Sequence, residues 1–189
     1  YVLQLCAHSQ TQTIPKSLIN HFKNVFDLTL SDIKNCEFNM VRAGIVLYGL
    51  LPSKKLLNKF NLKPVMQLKS VISNVKTIKR GDKISYSSKF VAKRTMKVAT
   101  VSIGYADGFL RSNFKNGYKV LVKNKPCKIV GNVCMDQIMI DVSKTDCNIL
   151  DEVLIFGNDK NCSADNLAKI NKTINYFVNT GYTYFKGAI

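Results

Sequence analysis

The chain has 189 residues and a hydrophobic fraction of 46%, which is enough for one well-packed core or for one globular domain and part of another. It contains no run of about eighteen apolar residues and no charged-then-apolar leader, so membrane-spanning and secreted classes are not expected. The net charge is +16, but 24 of the 28 basic residues are lysines spread along the chain, whereas nucleic-acid readers usually concentrate arginine, so no nucleic-acid partner is predicted.

Six cysteines are scattered along the chain, without a Cys-x-x-Cys pair and without a cluster around either of the two histidines. A zinc site needs closer ligand spacing, so no metal site is predicted. Without a leader, reduced thiols are expected, which places the protein in the cytoplasm. The sequence begins at Tyr1 inside an apolar run rather than at a methionine, and this predicts that the N-terminus of the full protein lies upstream.

Residues 1–63 are predicted to be the end of an α/β domain. A short buried strand is expected at the start, and Pro15 then opens a helical pattern with apolar side chains on one face. Residues 39–48, NMVRAGIVLY, are almost wholly apolar and too short for a typical helix that contains glycine. They predict a strand buried on both faces, as in a parallel sheet, and a linker follows over 52–63.

Residues 64–189 are predicted to form a mostly β domain, so the fold class is α/β followed by all-β. Turn signals such as Asn124-Lys125-Pro126 separate its apolar runs. One helix is predicted over Ala164–Ile170, with Ser163 as its N-cap. Strands are predicted over Met66–Ile78, Thr95–Ile103, Tyr118–Val122, Lys128–Val133, Gln137–Val142 and Glu152–Phe156.

Arg42 is one of only four arginines, and it lies inside the predicted apolar strand. A buried guanidinium stays charged, so it is either half of an ion pair or faces a polar ligand. Gly44 and Ile45 follow, where the predicted strand meets a loop. Backbone N–H groups in such places hold phosphates at the C-terminal face of (β/α)₈ barrels. Together these residues suggest an anionic cofactor.

Four short motifs in the β region place tyrosine, methionine or aspartate at turns. Taken singly, each favours a structural interpretation, since a tyrosine in a strand usually packs in a core and a methionine usually fills a gap. Asp107 and Asp136 would ordinarily be turn carboxylates. The motifs are ISYSS at 84–88, IGYADG at 103–108, VCMDQ at 133–137 and TINY at 173–176.

The order and spacing of these motifs, together with VRAGIVLYG at 41–49, resemble the alanine racemase family over residues 38–177. That family binds pyridoxal phosphate in an N-terminal (β/α)₈ barrel, which a β domain follows. The resemblance implies that residues 1–63 are the last part of the barrel and that 64–189 are the C-terminal β domain. It also implies alanine as the substrate, a homodimer with shared active sites, and a supply of D-alanine for cell-wall precursors.

Racemisation of an amino acid needs a base on each face of the α-carbon. By resemblance, Tyr86 is one of these bases. The other is the family's lysine, which holds the cofactor as a Schiff base and whose motif is absent from this chain. The isolated chain is therefore expected to be inactive.

The remaining site residues are also carried over from the family. Arg42 matches the arginine that faces the pyridine nitrogen of the cofactor. Met135 matches the residue whose backbone meets the substrate, and Tyr105 matches a tyrosine that narrows the substrate entrance. Phosphate contacts are implied for Gly44, Ile45, Tyr176 and, in the run CAHS at 6–9, Ser9.

Two positions depart from the family pattern, because Ser87 stands in place of a glycine and Asn132 in place of an arginine. Two other functions are alternatives to alanine racemisation. One is a racemase for another amino acid, such as serine or lysine. The other is a non-catalytic basic β module that binds polyanions.

Overall fold

The computed structural model describes residues 45, 48–51, 62–175 and 178. The chain divides into two compact units, residues 1–63 and 64–189. The strand predicted at the start of the chain, the helix predicted after Pro15 and most of the linker predicted over 52–63 lie outside the described residues. The architecture below is therefore that of the second unit.

Of the strand predicted over residues 39–48, which was expected to run out into a loop, only Ile45 and Tyr48 are among the described residues, and neither lies in a strand. Ile45 and Tyr48 both lie in 3₁₀ turns. The chain reverses here because Leu50 donates its N–H to the Ile45 carbonyl at 3.4 Å, and Gly49 has a φ of 73°. An apolar run predicts burial, but it does not distinguish a buried strand from a buried turn.

The second unit is built mainly of antiparallel strands. The strands are β1 (Leu68–Ile78), β2 (Lys83–Ile84), β3 (Phe90–Val91), β4 (Met96–Val101), β5 (Lys119–Val122), β6 (Lys125–Ile129), β7 (Ile138–Asp141) and β8 (Glu152–Phe156), and the helices are α1 (Ser112–Lys115) and α2 (Ala164–Ile170). Six of the strands close into a barrel in the order β1-β4-β7-β6-β5-β8, and β2 and β3 form a separate two-stranded hairpin.

Strand β1 closes the barrel because its two halves pair with different neighbours. Residues 68–71 pair with β8, and residues 72–78 pair with β4. The register shifts between Ile72 and Asn74, as at a β-bulge. A bulge bends a strand and increases its twist, which lets one long strand serve both neighbours.

The barrel is filled by apolar side chains, as expected for so few strands. The buried Tyr118 hydroxyl donates to the Ile155 carbonyl at 2.7 Å. The side chains with the least exposed surface include Ile72, Val101, Val120, Ile138, Ile140, Val153 and Ile155.

The β2–β3 hairpin is attached to the barrel by a small core of its own. Ile84 and Ala92 pack there with side chains of β1 and β4, and Phe90 packs against the same cluster. The sequence did not predict this hairpin, because strands of two residues are too short to show an alternating pattern. The buried members of the cluster are Ile78, Ile84, Ala92, Met96, Val98 and Val130.

Each of the six predicted strands is present, although the boundaries shift. Strand β8 and helix α2 begin and end where they were predicted, and the Ser163 hydroxyl accepts from Asn166 N–H at 3.1 Å. The strand predicted over Lys128–Val133 begins and ends earlier in the structure, where it is β6. The turn before it lies at Lys123 and Asn124, which both have positive φ, a feature of two-residue hairpin turns. That turn places Pro126 within the strand.

Leu150 offers a test of backbone strain in the loop before β8. Its φ is 71° and it is 76% exposed, while its N–H donates to the Ile72 carbonyl at 2.8 Å. A left-handed conformation costs an ordinary residue roughly 1–2 kcal/mol, and the greater freedom of glycine when unfolded offsets about half of that. Leu150→Gly should therefore raise the free energy of unfolding by roughly 0.5–1 kcal/mol, measured by urea denaturation.

The neighbouring variant Ile149→Gly is the matched control. Ile149 is also exposed, at 55%, but it is not among the described residues with positive φ. This control should lower the free energy of unfolding, since glycine gains nothing there. Equal losses in the two variants would contradict the assignment of strain to Leu150.

Candidate active site

Tyr86 lies at the tip of the β2–β3 hairpin and is 63% exposed. The backbone on both sides of it is unusual. Ser85 has φ 68° and ψ 174°, and Ser87 has φ 60° and ψ 19°, both in regions that favour glycine. Such conformations cost about 1–3 kcal/mol each and persist only where the surroundings enforce them. Contacts around the hairpin therefore hold its tip, with Tyr86, in a conformation that the turn alone would not favour.

The loop between β6 and β7, residues 130–137, is held against this hairpin. The side-chain amide of Asn132 donates to the Tyr86 carbonyl at 3.2 Å, and the Ser85 hydroxyl donates to the Asn132 carbonyl at 2.8 Å. Gly131 permits the approach, because a Cβ there would lie 2.7 Å from the Cβ of Ser85. The residues immediately before the VCMDQ motif are thus joined to the turn that carries Tyr86.

The same loop is joined on its other side to the 3₁₀ turn Tyr105–Asp107. Tyr105 N–H donates to the Cys134 carbonyl at 2.9 Å, and Ala106 N–H donates to the Met135 carbonyl at 3.0 Å. Gly104 makes this contact possible, because a Cβ there would lie 2.0 Å from the Met135 carbonyl oxygen. The motifs at 84–88, 103–108 and 133–137 therefore form one continuous, hydrogen-bonded surface.

Three of the predicted site residues share this surface and are exposed. Tyr105 and Met135 have exposed fractions of 39% and 51%, beside the more exposed Tyr86. Asp107 instead accepts from Gly104 N–H at 2.9 Å, as expected of a turn carboxylate.

Arg111 is a site residue that the sequence did not single out. Its guanidinium lies 5.6 Å from the centre of the Tyr105 ring, a cation–π contact. The scarcity of arginine in this chain was a signal that could have identified it. Its charge lies beside the ring that the family resemblance places at the substrate entrance, where it can attract a carboxylate.

Most of the predicted cofactor residues lie outside the described residues: Arg42, Gly44, Tyr176 and Ser9. Ile45 is described and is 3% exposed, and its carbonyl accepts from Leu50. As a set, these residues offer a guanidinium, backbone amides and two hydroxyls, which are all hydrogen-bond donors. Phosphate oxygens and an unprotonated pyridine nitrogen are acceptors, so the donor set fits pyridoxal phosphate.

The described residues also bear on the presence of a metal site and of a membrane-spanning helix. Among the residues that the structure describes, no group of three or more histidine, cysteine or acidic side chains is arranged to hold a metal ion. In the same part of the chain, none of the helices is long and apolar enough to span a membrane.

Residues 65–184 match the family model described as alanine racemase, C-terminal domain. The chain belongs to the alanine racemase family. The alanine racemase of Halothermothrix orenii is 42% identical over 166 residues, which cover 86% of this chain and 43% of the relative. That of Clostridium tetani is 38% identical over 164 residues, with coverage of 85% and 42%. The chain spans about two-fifths of the length of these relatives.

Solved alanine racemases have the same fold over the matched region. The enzyme from Bacillus anthracis with bound L-Ala-P is 36% identical with a TM-score of 0.73, covering 80% of this chain and 40% of that chain. The enzyme from Clostridium difficile 630 is 43% identical with a TM-score of 0.71, covering 78% of this chain and 38% of that chain.

For a member of the alanine racemase family, the departure at Ser87 now has a physical meaning. The left-handed φ of 60° at this position is one that glycine adopts without strain. Serine therefore holds the same turn at a higher energy. The side-chain amide of Asn132, the other position that departs from the expected pattern, reaches the Tyr86 carbonyl.

Gly104→Ala tests the close contact between the 104–108 turn and the 130–137 loop. The backbone of Gly104 is extended, with φ −147°, a conformation that alanine adopts freely. Alanine is therefore disfavoured here only because its Cβ has no space. The loops must separate, at a cost of roughly 1–3 kcal/mol or more. Thermal unfolding should show this loss, and hydrogen exchange at the Tyr105 and Ala106 amides should accelerate.

Gly117→Ala provides the comparison, because no atom lies within 4 Å of a Cβ built there, although φ is +73°. Gly117→Ala should lower the free energy of unfolding by only the cost of a left-handed backbone, about 1–2 kcal/mol. It should leave the Tyr105 and Ala106 amides protected from hydrogen exchange. The interpretation of Gly104 fails if its amides stay protected in the Gly104→Ala protein.

Proposed function

We propose that the full-length protein carrying this chain is an alanine racemase, and that Tyr86 is one of its two bases. The observation that carries this proposal is the presentation of Tyr86 on a strained hairpin beside Met135 and Tyr105. Relatives that are named alanine racemase, including one with bound L-Ala-P and one in complex with cycloserine, support alanine as the substrate.

The chemistry requires a proton to leave one face of the α-carbon and another to arrive on the opposite face. Tyr86 has an exposed hydroxyl and a backbone fixed by Asn132, so it can meet a substrate bound against this surface. As a phenolate it takes the α-proton, and as a phenol it returns one. The second base is the family's lysine, which this chain does not supply.

Pyridoxal phosphate, when bound, supplies an electron sink for the negative charge that develops on the α-carbon. Arg42 would bind the pyridine nitrogen and would disfavour its protonation, since a fixed cation opposes a second positive charge. The residues that would hold the phosphate are Gly44, Ile45, Tyr176 and Ser9.

The entrance to the site is formed by Tyr105, Arg111 and Met135 in this proposal. The Arg111 guanidinium attracts the carboxylate of the amino acid, and the Tyr105 ring beneath it narrows the path. The Met135 carbonyl is occupied by Ala106 N–H, which fixes the backbone that faces the substrate. A narrow entrance favours a small side chain such as that of alanine.

The proposed assembly is a homodimer in which each β domain, residues 64–189, covers the barrel of its partner. Residues 1–63 are the last part of that (β/α)₈ barrel. Dimerisation of this kind would cover the exposed ring of Tyr86 and the exposed thioether of Met135, which a single β domain leaves in water. It would also complete each active site with residues of two subunits.

The cysteines agree with a cytoplasmic protein. Cys127, Cys134, Cys147 and Cys162 are free thiols in the structure. Burial raises the pKa of Cys127 and Cys147 above the usual value and that of Cys162 to about 11. These three groups therefore stay protonated and unreactive at neutral pH.

Tyr86→Phe in the full-length enzyme tests the catalytic role. The ring is kept and only the hydroxyl is lost, so folding and cofactor binding should be unchanged. The racemisation rate should fall about 10²- to 10⁴-fold, the range expected for loss of a general base. Exchange of the α-proton with deuterated solvent should survive for one enantiomer of alanine, because the lysine still serves its face, and should fail for the other.

A mixing experiment tests the shared site. Inactive Tyr86→Phe subunits combined with inactive lysine-mutant subunits should regain part of the activity, because each mixed dimer contains one site with both bases. Absence of any recovery in dimers shown to be mixed would contradict the shared site. Loss of exchange for both enantiomers would contradict the assignment of Tyr86 to one face.

The two alternative functions make different predictions for the full-length protein. A racemase should retain the absorbance of pyridoxal phosphate after desalting, whereas a non-catalytic basic module should not. Initial rates with alanine, serine and lysine then identify the preferred amino acid. The proposal is wrong in its substrate if serine or lysine is turned over faster than alanine.

A further inference from the structure

The turn that carries Tyr86 is strained on both sides, so some contact outside the turn must enforce its shape. Ser85, Ser87 and Ser88 all have positive φ, at 68°, 60° and 49°. None of them is glycine, and each therefore favours a relaxed backbone in which Tyr86 would point elsewhere. The question is which contacts oppose that relaxation.

Two reciprocal hydrogen bonds connect this turn to a single residue, Asn132. The Asn132 side-chain amide donates to the Tyr86 carbonyl at 3.2 Å, which fixes the backbone of the tyrosine itself. The Ser85 hydroxyl donates to the Asn132 carbonyl at 2.8 Å, which fixes the strained residue before it. We call this pair of bonds the Asn132 clasp.

The backbone of Asn132 is itself well placed to act as an anchor. It lies between Gly131, whose close approach to Ser85 leaves no space for a Cβ, and the segment whose carbonyls bind the Tyr105 turn. A contact to Asn132 therefore fixes Tyr86 relative to Met135 and Tyr105, and not merely relative to the hairpin.

We infer that Asn132 is a positioning residue, which holds the Tyr86 hydroxyl in register with the substrate by fixing the turn on which it stands. This inference rests on the proposed role of Tyr86 as a base. It also accounts for the presence of an amide where the family resemblance has an arginine. The short side chain reaches the Tyr86 carbonyl directly and compensates for a turn built on serine at position 87.

Two variants of the full-length enzyme separate hydrogen bonding from the filling of space. Asn132→Asp keeps the shape but lacks the N–H donor, and Asn132→Ala removes the whole amide without adding charge. Both should lower kcat roughly 10- to 100-fold with little change in KM, since misplacing a catalytic group slows the reaction without weakening binding. Solvent exchange should fall selectively for the enantiomer that depends on Tyr86.

A second measurement does not depend on the cofactor or on activity. The protein is labelled with 3-fluorotyrosine, and the ¹⁹F resonance of Tyr86 is assigned by its loss in Tyr86→Phe. It should be a single narrow line in the parent protein and should broaden or split in Asn132→Ala, as the turn samples other conformations. Asn166→Ala is the matched control, because its amide also donates to a backbone carbonyl, that of Asn161, away from this surface.

The outcomes distinguish this inference from the proposed function. An unchanged Tyr86 line, a kcat within twofold of the parent in both variants, or an equal loss of exchange for the two enantiomers would each overturn the positioning role. So would a loss in Asn166→Ala as large as in Asn132→Ala. Full activity in Tyr86→Phe would instead overturn the proposed function, while the ¹⁹F comparison would still report on the Asn132 clasp.

Discussion

The candidate site depends on the close approach of one backbone segment, residues 131–135, to two neighbouring turns. Both approaches require a residue without a Cβ, Gly131 against Ser85 and Gly104 against the Met135 carbonyl. With these two contacts made, backbone hydrogen bonds connect the loop to the 3₁₀ turn, and the side chains of Asn132 and Ser85 connect the loop to the hairpin. The loop is therefore fixed to the 3₁₀ turn by main-chain atoms and to the hairpin by two short polar side chains.

That arrangement explains where strain is tolerated. The small core under the hairpin, with Ile84 and Ala92 packed on the end of the barrel, anchors both ends of the strained turn. Hydrophobic burial at the base of the hairpin can offset the unfavourable conformations at its tip. The strained turn lowers the free energy of unfolding to some extent, and in return the direction of the Tyr86 side chain is fixed.

The exposed side chains of the site are consistent with a surface that is completed by other parts of the protein. Tyr86, Met135 and Tyr105 are 63%, 51% and 39% exposed, whereas Ile103 and Val133 in the same segments are buried. Arg111 adds a positive charge at the edge of this surface, held over an aromatic ring.

Local patterns identified much of the fold. Helix α2 and its Ser163 cap follow from a capping signal and an apolar face, and β8 follows from a short apolar run between turn residues. Longer-range features did not follow. The turn before β6 was placed too late, because positive φ at Lys123 and Asn124 depends on the pairing of β5 with β6. The 3₁₀ conformation at Ile45 was not predicted for a different reason, because an apolar run suits a buried strand and a buried turn equally well.

The sequence by itself supplied the candidates for the site, because motif order and spacing are properties of the chain. The family resemblance carried by ISYSS, IGYADG and VCMDQ singled out Tyr86, Tyr105 and Met135. Only the tertiary structure decided that these motifs touch, that the barrel closes through a bulge in β1, and that Asn132 reaches the Tyr86 carbonyl. Contacts between residues some 47 positions apart depend on how strands pair, and strand pairing is set by the packing of the whole barrel rather than by any local run of residues.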